Sequence, residues 1–410
     1  MKIFPNTTVY VCCIANMATG GPELLHQLAS HLIKRNIRVR MYYYRIMDKD
    51  PVHEFYKKYH VPIAQTVDDL PQNILIVPES QTRLFKGCEN IRRIIWWLSV
   101  DNWASNVCLM LGTWTSNCWF ATEAFPKMFW FDDPDTTHWV QSEYARRFLL
   151  VNGVPEEQIR FVGDYLNPVF LQPEIDTIAR LDVVIVNPKK GFEFAKKLMD
   201  AAPDLQWGMI SHLTPAELHE LLQQVKVYID FGGHPGRDRI PREAVASGCC
   251  IITGRRGSAG NEVDVPIPDE FKYGETEADI PKIIEKIRFV MAHFEETRAH
   301  LAEYRRQIFA EPQKFAADVD VALEIRRPTF TRLSLLPTEK FDYERLDAVE
   351  QNTNYRIICC INDRFIWGGA GITHPFADDW LGRCGIFIPR RPHRKIYNVR
   401  PNRKRANKIC

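Results

Sequence analysis

The sequence predicts an α/β protein made of two tandem Rossmann-like domains that face each other across a cleft, followed by a C-terminal extension. Two observations support this prediction. Short apolar runs alternate with amphipathic segments of helical period, and the whole pattern begins again near residue 181. Strands that alternate with helices imply parallel sheets with right-handed crossovers. The 410 residues suffice for two or three domains that each bury a core.

The composition is typical of a globular protein and excludes several classes. Hydrophobic residues make up 45% and charged residues 25% of the chain, and the net charge is only +2, so no global field attracts nucleic acid. No apolar run approaches the roughly 20 residues that a membrane-spanning helix requires. The eleven cysteines form no Cys-x-x-Cys pair, which fits neither a zinc site nor a disulfide framework. We therefore expect a cytoplasmic protein that does not bind nucleic acid.

The first predicted domain covers residues 1–165 and opens with a strand, a helix and a second strand. Residues 7–15 are an apolar, β-rich run, residues 20–36 have apolar side chains at helical spacing, and residues 37–44 alternate as in a strand. Further strands and a helix are predicted within 72–80, 91–101 and 137–166.

The second predicted domain covers residues 166–329 and repeats this alternation. Its short helix at 240–248 has a proline near its start and a glycine at its end, which is the usual asymmetry. The other predicted strands and helices lie at 181–188, 191–203, 205–211, 214–225, 226–231, 249–254 and 279–311.

The remaining residues, 330–410, form the extension, and the sequence predicts no fold for 330–389. Residues 390–410 hold nine Lys or Arg and no acidic residue. Such a segment is usually a solvated arm. The alternative is peripheral contact with an anionic membrane surface.

The main candidates for ligand binding lie in residues 232–243, which comprise the turn before the short helix and the first residues of that helix. Glycines such as Gly236 let the backbone approach a ligand closely. A helix that begins near Pro241 offers unpaired N–H groups to an anion, and Arg237 carries a guanidinium that suits phosphate. Glu243 could accept hydrogen bonds from two hydroxyls, such as those of a ribose. The structural alternatives are a plain glycine turn, a surface arginine and a glutamate favoured by the helix dipole.

Residues 225–254 resemble the donor-binding signature of GT-B glycosyltransferases, in particular the retaining GT4-like group. That signature contains Glu-x7-Glu, and Glu243 in "EAVASG" matches its second Glu. Pro235 stands in the place of the first Glu, which in the family contacts the transferred sugar. Asp238 is the nearest carboxylate that could replace it. The resemblance thus places the ribose at Glu243 and the sugar near Asp238. His234 lies in the same loop and could touch the sugar, and a histidine packed within the loop is the alternative.

Two other segments carry the resemblance. "MATGGPELL" is similar to the family's first turn, where backbone amides near Gly20 and Gly21 face the donor phosphates or the acceptor. "VVIVNPKKG" is similar to the turn in which a basic residue holds the pyrophosphate, and Lys190 is the match, with Lys189 beside it. Two lysines at a helix start oppose the dipole, so an anion would explain them; a solvated lysine pair is the alternative.

A third position, Asp101 in "WWLSVDNW", is predicted to end a strand on the acceptor side. Many family members carry a histidine before this aspartate, and Val100 stands in its place here. Asp101 could still orient an acceptor hydroxyl, and the alternative is that it only terminates the strand. Asp133-Pro134-Asp135 has the spacing of an Asp-x-Asp metal motif, but an Asp-Pro turn is the preferred interpretation.

The resemblance covers about residues 7–325 and implies a glycosyltransferase. The donor would be a nucleoside-diphosphate sugar, and the acceptor a hydroxyl of a glycan, glycolipid or protein. The resemblance implies retention of configuration, no catalytic metal and no other cofactor. Lys190, Asp101 and Asp238 are the candidate catalytic residues. The alternatives are a sugar-nucleotide epimerase on the same scaffold and a degenerate binding module without activity.

Overall fold

The structure is a computed structural model that describes residues 1–110, 131, 133–172 and 179–325 and the strands 357–361 and 364–368. The chain divides into two compact units, Met1–Pro328 and Thr329–Cys410. The second unit contains an antiparallel hairpin, strands Ile357–Ile361 and Arg364–Gly368. The basic segment 390–410 lies outside the described residues.

The first unit begins with a seven-stranded parallel sheet. Its strands are β1 (Thr8–Ile14), β2 (Arg38–Tyr44), β3 (Ile63–Ala64), β4 (Ile74–Pro78), β5 (Arg92–Trp97), β6 (Thr136–Val140) and β7 (Ile159–Phe161). The spatial order is β3-β2-β1-β4-β5-β6-β7. Helices α1 (Gly20–Lys34), α2 (Val100–Met110) and α3 (Glu143–Val151) accompany this sheet. We call these elements the first lobe.

Both faces of this sheet are covered, and β1 shows how. Val9 and Val11 pack in one core cluster together with Leu28 of α1. Tyr10 and Cys12 alternate with them and pack in a different cluster. A strand buried on both faces needs apolar side chains at every position, which explains why the sequence shows continuous apolar runs here.

A second parallel sheet follows. Its strands are β8 (Leu181–Val186), β9 (Gln206–Met209), β10 (Val225–Asp230) and β11 (Cys250–Thr253), in the spatial order β11-β10-β8-β9. Its helices are α4 (Phe192–Ala201), α5 (Pro215–Gln224), α6 (Arg239–Ala246), α7 (Ile280–Ala292) and α8 (Phe294–Ala299). We call these elements the second lobe.

The last helix of the first unit, α9 (Ala302–Ala322), returns to the first lobe. Phe315 and Val319 belong to the core cluster that contains Val9 of β1. Arg35, directly after α1, donates a hydrogen bond of 2.6 Å to Asp320. The sequence predicted one helical stretch over 279–311, whereas the structure divides this region into α7, α8 and α9. The domain boundaries at 165 and 329 stay predictions.

The turn after β8 fits closely against the end of β10 at Gly191. This glycine has φ +59°, and a Cβ atom there would lie 2.0 Å from the carbonyl oxygen of Phe231. The close approach places the start of α4 beside the loop that follows β10. Any larger residue must move one of these backbone segments.

We expect Gly191→Ala to lower the free energy of unfolding by at least about 2 kcal/mol, because left-handed backbone alone costs an L-residue roughly 1–2 kcal/mol and the clash adds to that. Gly153→Ala is the matched control, since Gly153 has φ +83° and a Cβ atom there would meet nothing within 4 Å. Urea denaturation of both variants checks this. Equal losses would show that the contact with Phe231 imposes no constraint.

Candidate functional site

A cavity of about 710 Å³ lies between the two lobes of the first unit. Its wall includes residues at or just after the carboxyl ends of strands in both sheets: Ile14, Tyr44, Pro78, Leu98, Gln141, Asn187 and Asp230. Ligands of open α/β folds bind outside the carboxyl ends of the strands. Of the predicted site residues, the wall contains Gly20, Gly21, Lys190, Gly236, Arg237 and Asp238.

The N-terminus of α1 forms one part of the wall. Gly20 and Gly21 are its first two residues, and Thr19 before them makes no side-chain capping bond. The guanidinium of Arg239 from the second lobe lies beside this helix start, because a Cβ on Gly20 would be 3.4 Å from the Arg239 Nε atom. The helix dipole and this arginine both favour an anion at this place.

Lys190 reaches the cavity from the turn after β8. The Asn187 side chain accepts the N–H of Lys189 at 3.0 Å, and the Asn187 carbonyl accepts the N–H of Lys190 at 3.2 Å. The Lys190 ammonium contacts the carboxylate of Asp238, which also lies in the wall. Lys189 is not part of the wall, so only one of the two predicted lysines faces the cavity.

His234 is buried beneath this ion pair. Its side chain is 0% exposed and lies between Asp230, 3.5 Å from Nε2, and Asp238, 2.9 Å from Nδ1. Neither contact has the alignment of a hydrogen bond, so the attraction is that of charges. Burial by itself lowers the pKa of His234, but the two carboxylates outweigh it and raise this pKa to about 9. His234 therefore lies behind Asp238 and does not reach the cavity. The structure thus does not bring it to the sugar position that the sequence suggested.

An arginine–carboxylate network lies behind the loop 234–239. Arg242 donates to Asp164 at 2.7 Å and to Glu311 at 2.8 Å, and all three side chains are buried. Arg237 donates to Glu311 at 2.8 Å, so it is engaged rather than the free phosphate fork that the sequence suggested. The Arg239 Nε atom lies 3.5 Å from Asp164. Burial opposes ionisation of Asp164, yet the arginines hold its pKa below the ordinary value.

The sequence analysis missed Arg242, Asp164 and Glu311 because no local pattern links them. Asp164 follows β7 and Glu311 lies in α9, 78 and 69 residues from Arg242. The network therefore joins the segment between the lobes, the loop before α6 and the returning helix. It acts on the site by fixing the backbone of that loop.

The same loop touches the first lobe directly. The N–H of Val100 donates to the carbonyl of Pro235 at 2.9 Å. A Cβ on Gly236 would lie 2.2 Å from the carbonyl oxygen of Leu98, which also accepts a 2.5 Å hydrogen bond from Gln141. Glycine at 236 is thus required by the contact between the lobes, in addition to its place in the cavity wall.

The sequence suggested that Asp101 ends a strand, but the structure places it in a helix. The strand β5 ends at Trp97, and Asp101 lies in the first turn of α2, where the dipole favours an acid. Tyr144 donates a 2.6 Å hydrogen bond to one carboxylate oxygen, and the other is buried with no hydrogen-bond partner among the described residues. Burial raises the pKa of Asp101 to about 6. The residue lies behind the wall, whereas its neighbours Ser99 and Asn102 line it.

Glu79 is a carboxylate of the wall that the sequence analysis did not select. It follows β4, is 4% exposed, and accepts the N–H of Leu98 at 2.9 Å. Burial raises its pKa to about 7. An acidic residue directly after a buried strand was the available signal, because strand ends meet at the cavity.

Glu243 lies in α6, which begins at Arg239, two residues before the proline that the sequence took as its start. Proline is tolerated there because the first turn of a helix lacks partners for its N–H groups. Glu243 is 9% exposed and not part of the wall. Within the part of the chain that the structure describes, no side chain donates a hydrogen bond to it. Burial raises its pKa to about 7, and Arg239 opposes this increase.

The Asp133-Pro134-Asp135 segment forms a turn. Asp133 accepts the backbone N–H of Asp135 at 3.0 Å and a hydrogen bond from Arg93 at 3.2 Å. Its carboxylate is therefore used within the fold. Among the described residues, no group of three or more His, Cys, Asp or Glu side chains could hold a metal ion, and no helix is long and apolar enough to cross a membrane.

Two parallel sheets with a cavity at their facing strand ends are the arrangement of GT-B glycosyltransferases, and this chain has that fold. Sucrose-phosphate synthase from Thermosynechococcus elongatus matches with a TM-score of 0.55 at 11% identity, over 84% of this chain and 100% of that chain. Anabaena HepE in complex with UDP and glucose matches with a TM-score of 0.51 at 11% identity, over 77% and 97%. No family model and no curated protein matches the sequence.

We expect Glu79→Gln to change how stability depends on pH. The pKa of Glu79 rises from 4.5 to about 7 on folding, so the stability that its bound proton contributes is complete below 4.5 and is lost as the pH rises through about 7. Glutamine has no proton to lose. Relative to the variant, the parent should lose up to about 3 kcal/mol of unfolding free energy between about pH 5 and pH 8.

Urea denaturation at both pH values measures this difference. Glu303→Gln is the control, because Glu303 is exposed on α9 and its replacement should leave the parent's pH dependence nearly unchanged. A parent-to-variant difference for Glu79 that is the same at both pH values would show that the carboxyl is not protonated by burial.

Proposed function

We propose that this protein transfers a sugar from a nucleoside-diphosphate-sugar donor to a hydroxyl group of an acceptor. The observation that carries this proposal is the cavity between the two lobes, where Lys190, Arg239 and the start of α1 converge. Cations and a helix N-terminus in one cavity suit a diphosphate. The GT-B fold of the chain and the resemblance of residues 225–254 to a donor-binding signature support the same conclusion.

The chemistry requires little acid–base catalysis when the leaving group is a nucleoside diphosphate. The main requirement is to stabilise the negative charge that grows on the pyrophosphate as the sugar leaves. Lys190 and Arg239 line the cavity and carry positive charge, and Gly20 and Gly21 present the positive end of α1. We assign the phosphate contacts to these groups, with Arg237 and Lys189 contributing charge from beside them.

We assign the sugar nucleotide's other parts to the loop 234–243. The ribose hydroxyls would bind the carboxylate of Glu243, which has no other hydrogen-bond donor among the described side chains. The transferred sugar would lie beside Asp238 and Gly236 in the wall, with His234 holding Asp238 from behind. Pro235 cannot make the sugar contact of the first family Glu, so Asp238 takes that role.

The acceptor would approach from the first lobe. We assign Asp101 to this side as a group that acts from behind Ser99 and Asn102, which line the cavity. The proposed acceptor is a glycan, glycolipid or protein hydroxyl that attacks on the face of the leaving group, with retention of configuration. The enzyme would be cytoplasmic, and residues 390–410 would add peripheral contact with an anionic membrane surface.

A second candidate, a sugar-nucleotide binding module without activity, is favoured by one observation, the proline at 235.

A panel of UDP-, GDP- and ADP-sugars tests both functions. At least one donor should raise the melting temperature and bind in calorimetry, and Lys190→Ala should lose at least about tenfold in affinity for it. Release of labelled sugar to water or an acceptor then distinguishes an enzyme from a binding module. Absence of binding by every sugar nucleotide would contradict both.

We expect Glu243→Gln to bind the donor at least about tenfold more weakly, because hydrogen bonds to a charged group contribute about 1.5–3 kcal/mol each. The fold should persist with a melting temperature near the parent's, since glutamine keeps the size of the side chain. Calorimetry measures affinity and circular dichroism measures folding. Glu193→Gln, on the exposed side of α4, should leave affinity unchanged. Unchanged affinity of the Glu243 variant would remove the ribose assignment.

A further inference from the structure

The cation that points into the cavity from the second lobe is already paired within the protein. The ammonium of Lys190 contacts the carboxylate of Asp238, and both side chains line the cavity. Lys190 is 28% exposed and Asp238 20% exposed at the side chain, so a ligand can reach this pair. The position beside Lys190 that an anion would occupy therefore holds a carboxylate of this chain.

Asp238 does not depend on Lys190 alone for charge compensation. Its carboxylate oxygen also lies 2.9 Å from Nδ1 of His234. His234 is charged at neutral pH, because its pKa is raised to about 9. If Lys190 turns to another anion, Asp238 keeps a cationic partner. Breaking an ion pair is usually costly because it leaves one charge without a counter-charge. Asp238 avoids this cost because His234 stays beside it.

The four nearest charges balance one another. Lys190 and His234 are cations, and Asp230 and Asp238 are anions. A cluster with no net charge attracts an added anion weakly, whereas the same cluster without the Asp238 charge would carry one excess positive charge. Asp238 therefore sets how strongly this wall of the cavity attracts phosphate.

Other cations near the cavity are held by different partners. Arg237 donates to Glu311, and Arg242 is bonded to Asp164 and Glu311 in the buried network. Of the two carboxylates that hold these arginines, Asp164 lines the cavity and Glu311 does not. Arg239 and Asp164 also line the cavity and lie 3.5 Å apart, but Asp164 is buried and bonded to Arg242 as well. The carboxylate of Asp238 has no such buried arginine partner among the described residues, so a phosphate can replace it directly at Lys190.

We infer that Asp238 is an internal competitor for the donor phosphates: it occupies Lys190 in the free protein, and a diphosphate binds by displacing it from Lys190 onto His234. The exchange makes the site selective for charge. A diphosphate, with more negative charge to offer Lys190, displaces the carboxylate more readily than a monophosphate does. This inference rests on the proposed function, since the phosphates are taken to be those of the sugar-nucleotide donor.

The test measures binding of inorganic pyrophosphate and inorganic phosphate by calorimetry, because neither probe carries a sugar that Asp238 could contact. Asp238→Asn should bind pyrophosphate at least about tenfold more tightly than the parent, since Lys190 is then no longer held by a carboxylate that the phosphates must displace. Phosphate should gain less. In the Lys190→Ala background the Asp238→Asn change should alter pyrophosphate affinity by less than about threefold, because the competition needs the lysine.

Asp204→Asn is the matched control, since it removes the same charge from an exposed ion pair with Arg288 in the second lobe. It should leave both affinities unchanged. Asparagine and serine are both favoured residues before a helix, so α6 should persist in Asp238→Asn, and Asp238→Ser is a second variant if the first is unstable. Circular dichroism and the melting temperature of each variant show whether the fold is kept.

The outcomes separate this inference from the proposed function. If the parent binds a sugar nucleotide while pyrophosphate affinity is unchanged or lower in folded Asp238 variants, the inference is wrong and the donor site stands. If the variants gain pyrophosphate affinity through Lys190 but no sugar nucleotide binds any form, the competition stands and the proposed function is wrong. A gain that persists without Lys190 would also overturn the inference, because it would be a general charge effect.

Discussion

The buried guanidinium of Arg242 is the interaction on which the arrangement of the site depends. It binds Asp164, in the segment that follows the first sheet, and Glu311, in the helix that returns to the first lobe. Removing one partner of such a group leaves an uncompensated buried charge and typically costs about 3–5 kcal/mol. The cost of separating these charges holds three distant segments together. The loop before α6 is positioned against that fixed cluster.

Charges around the cavity are compensated in layers. Arg237 of the loop and Arg242 of α6 are bonded to the buried carboxylates Glu311 and Asp164. Lys190 contacts Asp238, and His234 lies between Asp238 and Asp230. A buried ion without a counter-charge is costly, so each layer has its own. What differs is access: Arg242 and Glu311 are buried away from the cavity, whereas Lys190 and Asp238 line it. Ligand chemistry is therefore concentrated where compensation can be rearranged.

The sequence predicted the two parallel sheets because they depend on local periodicity, and strands buried on both faces appear as continuous apolar runs. The GT-B fold was implied by the resemblance of residues 225–254 to a donor-binding signature. It predicted which turns meet at the cavity because strand ends share one edge of a sheet. It did not predict the partners of Arg242, which are far away in sequence, or the burial of His234, which depends on Asp230 and Asp238 folding around it. The pattern indicates a strand end at Asp101 because the apolar run of β5 continues into the turn, and this run outweighed Ser99 and Asp101, which are residue types that a helix start favours.

The contact between Pro235, Gly236 and the first lobe has a consequence for engineering and evolution. Both residues meet backbone atoms of Leu98 and Val100, and backbone atoms cannot be exchanged by mutation to accommodate a new partner. At 236 a Cβ atom would meet the carbonyl oxygen of Leu98, and the arginines that follow are held by Glu311 and Asp164. A library meant to alter ligand preference would retain more folded members if it left these two positions fixed and randomised polar side chains of the opposite wall, such as Ser80 and Asn102, which also line the cavity.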